Sequence, residues 1–590
     1  LHRHLYTVEC RIDVPSASQD FMLPSWLPGS YLLREFARHV VAIGAHDAQR
    51  EIPVEKIDKS RWRCRGADRE LTVTATVYAL DESVRGAYLD RRRGFFNGAC
   101  LLLLPEGRES EPAVLELVAP EDAACAAWRV ATALPAAGVD ARGFGRYEAA
   151  DYDELIDHPV EISDHASVDF EAGGVPHRFV VAGRFDSDLE RVAGDLTLLC
   201  EAQIELFGRP PPFASYTFLG LAVGAGHGGL EHRASSSLIF DRDDLPKPGE
   251  AGMPKGYQRF LALASHEYFH SWHVKRTKPA AFIPYRLDRR NHTRLLWLFE
   301  GVTSYYQDLM LLRSGLIGIN DYLRRLGESL TRVYRTPGRF KQSIAEASFD
   351  AWDGLYKPDA NSPNARVSYY SKGALTALGL DLTLRSLPGR AAVTLDDVVR
   401  ALWQRYGRRD VGVPEDGFEA LVEDVAGAGL GDFFAQAVYG TGDLPLADLL
   451  GRFGLTLRWR AAAGPADAGG TAPPAESAQA LAGLGAHVRA SGDGLELVAV
   501  LDGGAAQRAG LNPADVLIAI DGLRIDENTL ARRLERYEPG ERVAAAAFRG
   551  DELLTFDLEL APAAEDTVYL EVDPAAGVDA HARRRPWLGE

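Results

Sequence analysis

The chain has 590 residues, which at roughly 150 residues per domain sets an expectation of three to four domains. Hydrophobic residues at 46% and charged residues at 25% are globular proportions and exclude a disordered or collagen-like chain. The net charge of −19 argues against nucleic-acid or anionic-membrane partners, which need clustered Lys and Arg, and the 5 scattered cysteines, with no Cys-x-x-Cys pair, argue against a disulfide scaffold or a cysteine-built zinc site. No apolar run approaches the length of about 18 residues that a membrane-spanning helix needs.

Residues 1–165 read as all-β. Tyr6, Val8, Cys10, Ile12 and Val14 alternate with polar residues, which marks an amphipathic strand and not a signal peptide. The compartment expected is the cytoplasm, or the periplasm or exterior if a signal segment was removed before Leu1. Leu71, Val73, Ala75 and Val77 alternate with threonines, and Val114–Val118 and Trp128–Leu134 are further short strands. Pro and Gly clusters such as Pro24 to Ser30 separate them, and a β-sandwich is the economical fold. From Phe185 the period changes: Leu189, Val192, Leu196, Leu199 and Gln203 follow helical spacing, with Asp186 or Ser187 as N-cap. Strands at Tyr216–Val223 and Ser236–Phe240 flank a Gly-rich turn. Helices are predicted at Tyr257–Val274, Arg294–Ser314, Asp321–Arg335, Lys372–Ser386 and Asp396–Tyr406. An Ala/Gly/Pro linker covers 461–480. Leu484 to Leu560 is one small compact domain, and 566–590 reads as an extended tail.

The strongest motif is His266-Glu267-Tyr268-Phe269-His270, an H-E-x-x-H inside a helical stretch. Residues four apart share a helix face, so His266 and His270 can hold one zinc ion, and Glu267 sits where it can take a proton from water there. The competing reading is a surface helix that happens to carry two histidines. Zinc needs a third ligand. His273 is displaced from His266 by roughly 10 Å along the axis, too far to share an ion on an unbroken helix. The metzincin pattern needs Gly and His where this chain has His273 and Arg276, and is excluded. Glu300, in Leu296-Trp297-Leu298-Phe299-Glu300-Gly301, is a lone acid in a strongly apolar stretch. Burying it unpaired is costly, and a metal removes that cost; the alternative is an ordinary salt bridge.

Two further segments carry chemistry. Gly224 to Gly229 matches G-x-G-x-x-G, but the next element reads as a strand and not a helix, which rejects a dinucleotide site. What remains is Gly228-Gly229-Leu230-Glu231-His232, a carboxylate held between two strands. Tyr369-Tyr370-Ser371-Lys372-Gly373 stands at a helix start, where a phenol can stabilise a tetrahedral oxyanion or simply pack.

Together these segments resemble the gluzincin aminopeptidases, and most of all the glycyl aminopeptidase family, whose members carry a PDZ domain after the catalytic unit. The resemblance rests on Leu23-Pro24-Ser25-Trp26-Leu27-Pro28-Gly29-Ser30-Tyr31, on His266-Glu267-x-x-His270-Ser271-Trp272 and on Trp297 to Tyr306 with Glu300. Gly228-Gly229-Leu230-Glu231-His232 resembles the exopeptidase motif Gly-x-Met-Glu-Asn, with Leu230 and His232 departing from the Met and Asn of the best-known branch. Tyr370-Ser371-Lys372-Gly373 resembles the segment that supplies the catalytic tyrosine, with Tyr369 as the neighbour that competes for the role. Ala506-x-x-Ala509-Gly510-Leu511 and Asp515-x-x-x-x-Ile520-Asp521-Gly522 resemble a bacterial PDZ domain, which binds extended chain ends by strand addition or packs as an appendage.

The resemblance implies a multidomain α+β protein: a β-sandwich (1–165), a thermolysin-like catalytic domain (166–330), a helical domain (331–460), the linker, a PDZ domain (481–565) and the tail. It implies a zinc aminopeptidase with one Zn²⁺ per chain on His266, His270 and Glu300, catalysis by Glu267 and Tyr370, and substrate binding by Glu231, Gly228 and Gly229. The expected partners are peptides with a free N-terminus, Gly or Ala preferred, and a peptide or chain-end ligand at the PDZ domain. A thermolysin-type endopeptidase, which would not need Glu231, and a non-catalytic PDZ scaffold are the alternatives.

Overall fold

A computed structural model describes residues 1–388, 393–473, 481–492 and 494–589. The chain forms two compact units, one from Leu1–His292, Ser314–Leu316 and Val399–Pro414, the other from Thr293–Arg313, Ile317–Val398 and Glu415–Glu590. The division at 292/293 falls within the segment 166–330 that the sequence reads as one domain.

The first unit opens with β structure. Leu5–Asp13 pairs antiparallel with Glu70–Tyr78 along its whole length, and Val40–His46 takes the other edge of Glu70–Tyr78. Leu71, Val73, Ala75 and Val77 share one face and are buried, as period-two alternation requires. Ser18–Met22, Arg61–Arg65, Val54–Lys56 and Leu104–Pro105 form a second four-stranded sheet.

A five-stranded mixed sheet follows, in the spatial order Ala166–Ala172, Val175–Gly183, Tyr216–Val223, Ser235–Asp241, His227–Glu231. Its central strands are parallel and its last edge strand, His227–Glu231, is antiparallel. Tyr216–Val223 is buried almost throughout, which is why it reads as a continuous apolar run and not as an alternation. Helix Leu189–Phe207 joins two of the parallel strands; its N-cap is Asp188, whose carboxylate accepts from the Arg191 N–H at 3.1 Å, just after the two residues predicted. Gln203 on this helix donates to both the carbonyl and the hydroxyl of Ser265 at 2.9 Å, tying it to helix Lys255–Phe269. The predicted helix Tyr257–Val274 stops at Phe269, with His270 as C-cap, because the chain folds back: the Lys275 N–H donates to the His270 carbonyl and Val274 takes φ 120°.

The second unit is helical and then β. A π turn, Trp297–Gly301, runs into helix Val302–Arg313; Ile319–Tyr334 and Ser371–Arg385 follow. A C-terminal lobe has a sheet of Ala486–Ser491, Gly494–Val500, Val516–Ile520, Arg542–Arg549 and Glu552–Glu559, the short helices Ala505–Ala509 and Leu530–Leu534, and a core of its own that includes Leu495, Leu497, Leu517, Ile520 and Leu558. Two expectations need correction. The linker is anchored over its first part: Asp467 is ion-paired to Arg460, its carbonyl accepts from Arg335, and the Gly470 N–H donates to Val568; residues 474–480 lie outside the described residues. The tail is not extended. Thr567–Val572 pairs antiparallel with Leu455–Arg460, and helix Val578–Leu588 buries Trp587 completely. No helix among the described residues is long and apolar enough to cross a membrane.

Candidate active site

Helix Lys255–Phe269 brings the two motif histidines together: the rings of His266 and His270 are 4.6 Å apart and nearly perpendicular. The opposite side of the helix is fixed to the sheet, where the His177 Nε2 lies 2.9 Å from the Tyr268 hydroxyl. His270 is buried, and its Nδ1 lies 2.7 Å from the His273 carbonyl. A carbonyl only accepts, so Nδ1 carries the proton there, and in the neutral imidazole Nε2 is then the nitrogen left for a metal. His273 thus serves through its backbone. The carbonyl is held in place by the turn in which Val274, a β-branched residue, adopts a positive φ.

Glu231 ends the edge strand His227–Glu231 and is 4% exposed. One ligand atom from each of Glu231, Glu267 and His270 falls within 4.8 Å of the others. Glu231 Oε1 has no hydrogen-bond partner among the described residues. Two glycines make this packing possible. A Cβ on Gly229 would lie 2.0 Å from Glu267 Oε1, and a Cβ on Gly29 would lie 2.6 Å from both Glu231 oxygens. Gly228 is different: a Cβ there would meet only Arg85 Nη1, at 3.8 Å. Arg85 Nη2 donates to the Gly229 carbonyl at 3.0 Å and braces the strand. Gly29 and Arg85 were not legible as site residues. Gly29 sits in a Pro/Gly cluster that reads as a turn and as part of the N-terminal segment that carries the resemblance, with nothing to link it to Glu231, and a lone Arg carries no spacing.

Behind Glu231 lies a buried charge cluster. Asp157 accepts from Lys275 Nζ at 2.5 Å and from the Arg233 N–H at 2.9 Å. Burial alone would raise its pKa, but Lys275 and Arg233 hold its carboxyl well below the usual range. His232 is buried beside it, and burial keeps its imidazole below the ordinary histidine value. The strand end that carries Glu231 is thereby anchored to the turn that follows His270.

Two of the predicted site residues belong to the second unit. Glu300 stands in the π turn Trp297–Gly301 and is 2% exposed. Tyr370 is the N-cap of helix Ser371–Arg385. A Cβ on Gly301 would lie 2.6 Å from the Gly373 backbone and 3.0 Å from the Tyr369 carbonyl, so the paired glycines let the Glu300 turn and the Tyr370 helix touch. Tyr369 is wholly buried, and burial, then neighbouring groups that include Glu300, hold its phenol well above the usual pKa. Tyr370 stacks on it with centroids 4.8 Å apart but is partly exposed, and its hydroxyl lies 2.9 Å from that of Tyr356.

The Peptidase M61 N-terminal domain model matches residues 1–164, and the M61 glycyl aminopeptidase model matches residues 259–376. Among solved structures, an aminopeptidase N family protein from Idiomarina loihiensis is 40% identical with a TM-score of 0.95, over 100% of this chain and 98% of that one. An M1 zinc metallopeptidase from Deinococcus radiodurans, solved with a Tyr-Ser-Ala substrate, is 13% identical with a TM-score of 0.46 over 75% of this chain and 92% of that one, too distant to inform it. No curated protein matches the chain in sequence. The chain matches Peptidase M61 models in its N-terminal and central segments and, with 40% identity over its whole length, belongs to the same family as the Idiomarina aminopeptidase N family protein.

Proposed function

We propose that this protein is a zinc-dependent aminopeptidase that removes small N-terminal residues, glycine and alanine above all, from peptides. The observation that carries the reading is the meeting of His270 with two buried carboxylates, Glu231 and Glu267, within 4.8 Å. Buried like charges repel unless cations accompany them. An aminopeptidase supplies two: a metal at the histidines and the substrate's α-ammonium at Glu231. The donors suit zinc, since two imidazoles one helical turn apart, that of His270 with its Nδ1 taken up by a carbonyl, and Glu300, the third ligand the resemblance implies, make the two-nitrogen, one-oxygen set of a catalytic site. Zinc held by these residues would supply a Lewis acid that makes a water easier to deprotonate.

The chain's own residues do the rest. Glu267 accepts the proton of the attacking water and passes it to the leaving amine. Gly229 leaves room for that carboxylate, and Gly228 keeps the strand open beside the substrate. Glu231, with an oxygen that no neighbour satisfies, holds the ammonium and sets the cleavage point at one residue from the N-terminus. Tyr370, rather than the sealed Tyr369, donates to the carbonyl oxygen as charge develops on it. The C-terminal lobe reads as a PDZ domain through its motifs and takes a peptide or chain end. The test is metal analysis together with turnover of a panel of amino-acid amides. One zinc per chain, activity lost to chelator and restored by zinc, and Gly and Ala amides cleaved fastest are expected. Turnover in metal-free protein would reject the reading.

A further inference from the structure

The loop that leads into Tyr370 is tied to the C-terminal lobe by a buried carboxamide. Asn364, 3% exposed, donates through Nδ2 to the Val500 carbonyl at 2.8 Å, and its Oδ1 accepts from the Asp502 N–H at 2.9 Å. It pairs with the end of strand Gly494–Val500 as a neighbouring backbone would. Its remaining donor reaches Asn361 Oδ1 at 3.1 Å. Asp502 is held in turn by Lys341 Nζ at 2.5 Å and Gln507 Nε2 at 3.0 Å.

The loop is pinned from its other side as well. The Val367 N–H donates to Gln342 Oε1 at 3.2 Å. Gly338 lies so close to the Arg366 backbone that a Cβ on it would stand 2.3 Å from that carbonyl oxygen. Past the tyrosine, Lys372 Nζ donates to the Arg339 carbonyl at 3.0 Å. The hydroxyls of Tyr356 and Tyr370 then meet at 2.9 Å. The chain from Asn364 to Lys372 is therefore held on two sides, by the 338–342 segment and, through Asn364, by the lobe.

We propose that Asn364 is a positioning residue, through which the C-terminal lobe holds the Tyr370 phenol where it donates to the reacting carbonyl. This rests on the reading of Tyr370 as the oxyanion donor. It gives the lobe a part in catalysis independent of any ligand it binds: a lobe that shifts moves the phenol with it.

A double-mutant cycle tests this on the full-length zinc enzyme. Asn364→Leu should lower kcat about 10-fold with KM and zinc content unchanged, because the phenol it positions acts in the transition state. In a Tyr370→Phe background the same change should cost less than about 2-fold, since the group it positions is gone. Loss by the same factor in both backgrounds, or no loss in the parent, overturns the inference. Where Asn364→Leu fails to fold, Asn364→Asp replaces it in the cycle: it keeps the shape and the acceptor for Asp502 and loses the donor to Val500. If Tyr370→Phe alone leaves kcat unchanged, the oxyanion reading itself is lost and this inference with it; a full Tyr370→Phe effect with an additive cycle overturns the inference alone.

Discussion

Two residues without side chains shape the site as much as its acids do. Gly229 leaves the space that the Glu267 carboxylate fills, and Gly29, at φ +92°, does the same for Glu231. Gly229→Ala should lower kcat by about 10- to 10²-fold with zinc retained, because the new carbon must displace the base. Gly228→Ala, whose Cβ would stand clear of Glu267, should leave the base in place and act on KM with kcat little changed; an equal loss of kcat at both would contradict the packing seen. The tyrosines divide in the same way. Tyr370→Phe should lower kcat by about 10²-fold with KM little changed, whereas Tyr369→Phe should affect stability more than turnover. Kinetics on both variants decides it, and the reverse pattern would place the donor one residue earlier. The meeting of His266 and His270 was legible because H-E-x-x-H is a spacing that one helix turns into a face. Which of Tyr369 and Tyr370 is sealed in the interior was not, since adjacent residues at a helix start differ only in which way the tertiary structure turns them.

At the level of elements, the sequence was read well where periodicity decides and poorly where packing does. The helix from Leu189 follows directly from apolar spacing, and Tyr216–Val223 from an unbroken apolar run. The helix predicted through Val274 overran because its last residues keep helical spacing, while a backbone turn, invisible to periodicity, stops it. The tail was misread for a related reason: its Ala, Pro and Arg hide one anchor. Trp587 Nε1 donates to the Tyr305 hydroxyl at 2.8 Å, and that hydroxyl donates to Asp381 Oδ2 at 2.7 Å; the Trp587 carbonyl accepts from Arg313. Tyr305 is on the helix that leaves the Glu300 turn, and Asp381 is on the helix that Tyr370 caps. Trp587→Ala should therefore destabilise the second unit by about 3–5 kcal/mol, the cost of emptying a buried aromatic site. Urea unfolding measures it, and a change under about 1 kcal/mol would show that the C-terminal helix is not part of the folded unit.

For the whole molecule, the two-unit division escaped the sequence because each unit draws on separate chain segments, and composition marks no step at 292/293. The first unit carries an acid sensitivity. His158, His165 and His177 are buried, and burial is the main cause that pushes each down to about 4, with Arg129 and Arg178 adding to the effect at His165. Their unfolded value is about 6.5, so between about pH 6.5 and 4 the unfolded chain binds more protons than the folded one. Stability is full above that window and is lost as pH falls through it, at a slope approaching about 4 kcal/mol per pH unit for three protons. Urea midpoints that fall between pH 7 and pH 5 are expected; a flat profile would show that these imidazoles protonate freely in the folded state. The central claim, that a free N-terminus is what Glu231 recognises, has its most direct test in kcat/KM for glycyl and N-acetylglycyl amides on the parent and on Glu231→Ala. The parent should cleave the free amine and scarcely touch the acetylated one. Glu231→Ala should lose about 10- to 10³-fold on the free amine with zinc content unchanged, the loss of one charge-assisted contact in a dry site. Equal cleavage of both substrates by the parent, or an undiminished free-amine preference in the variant, would contradict it.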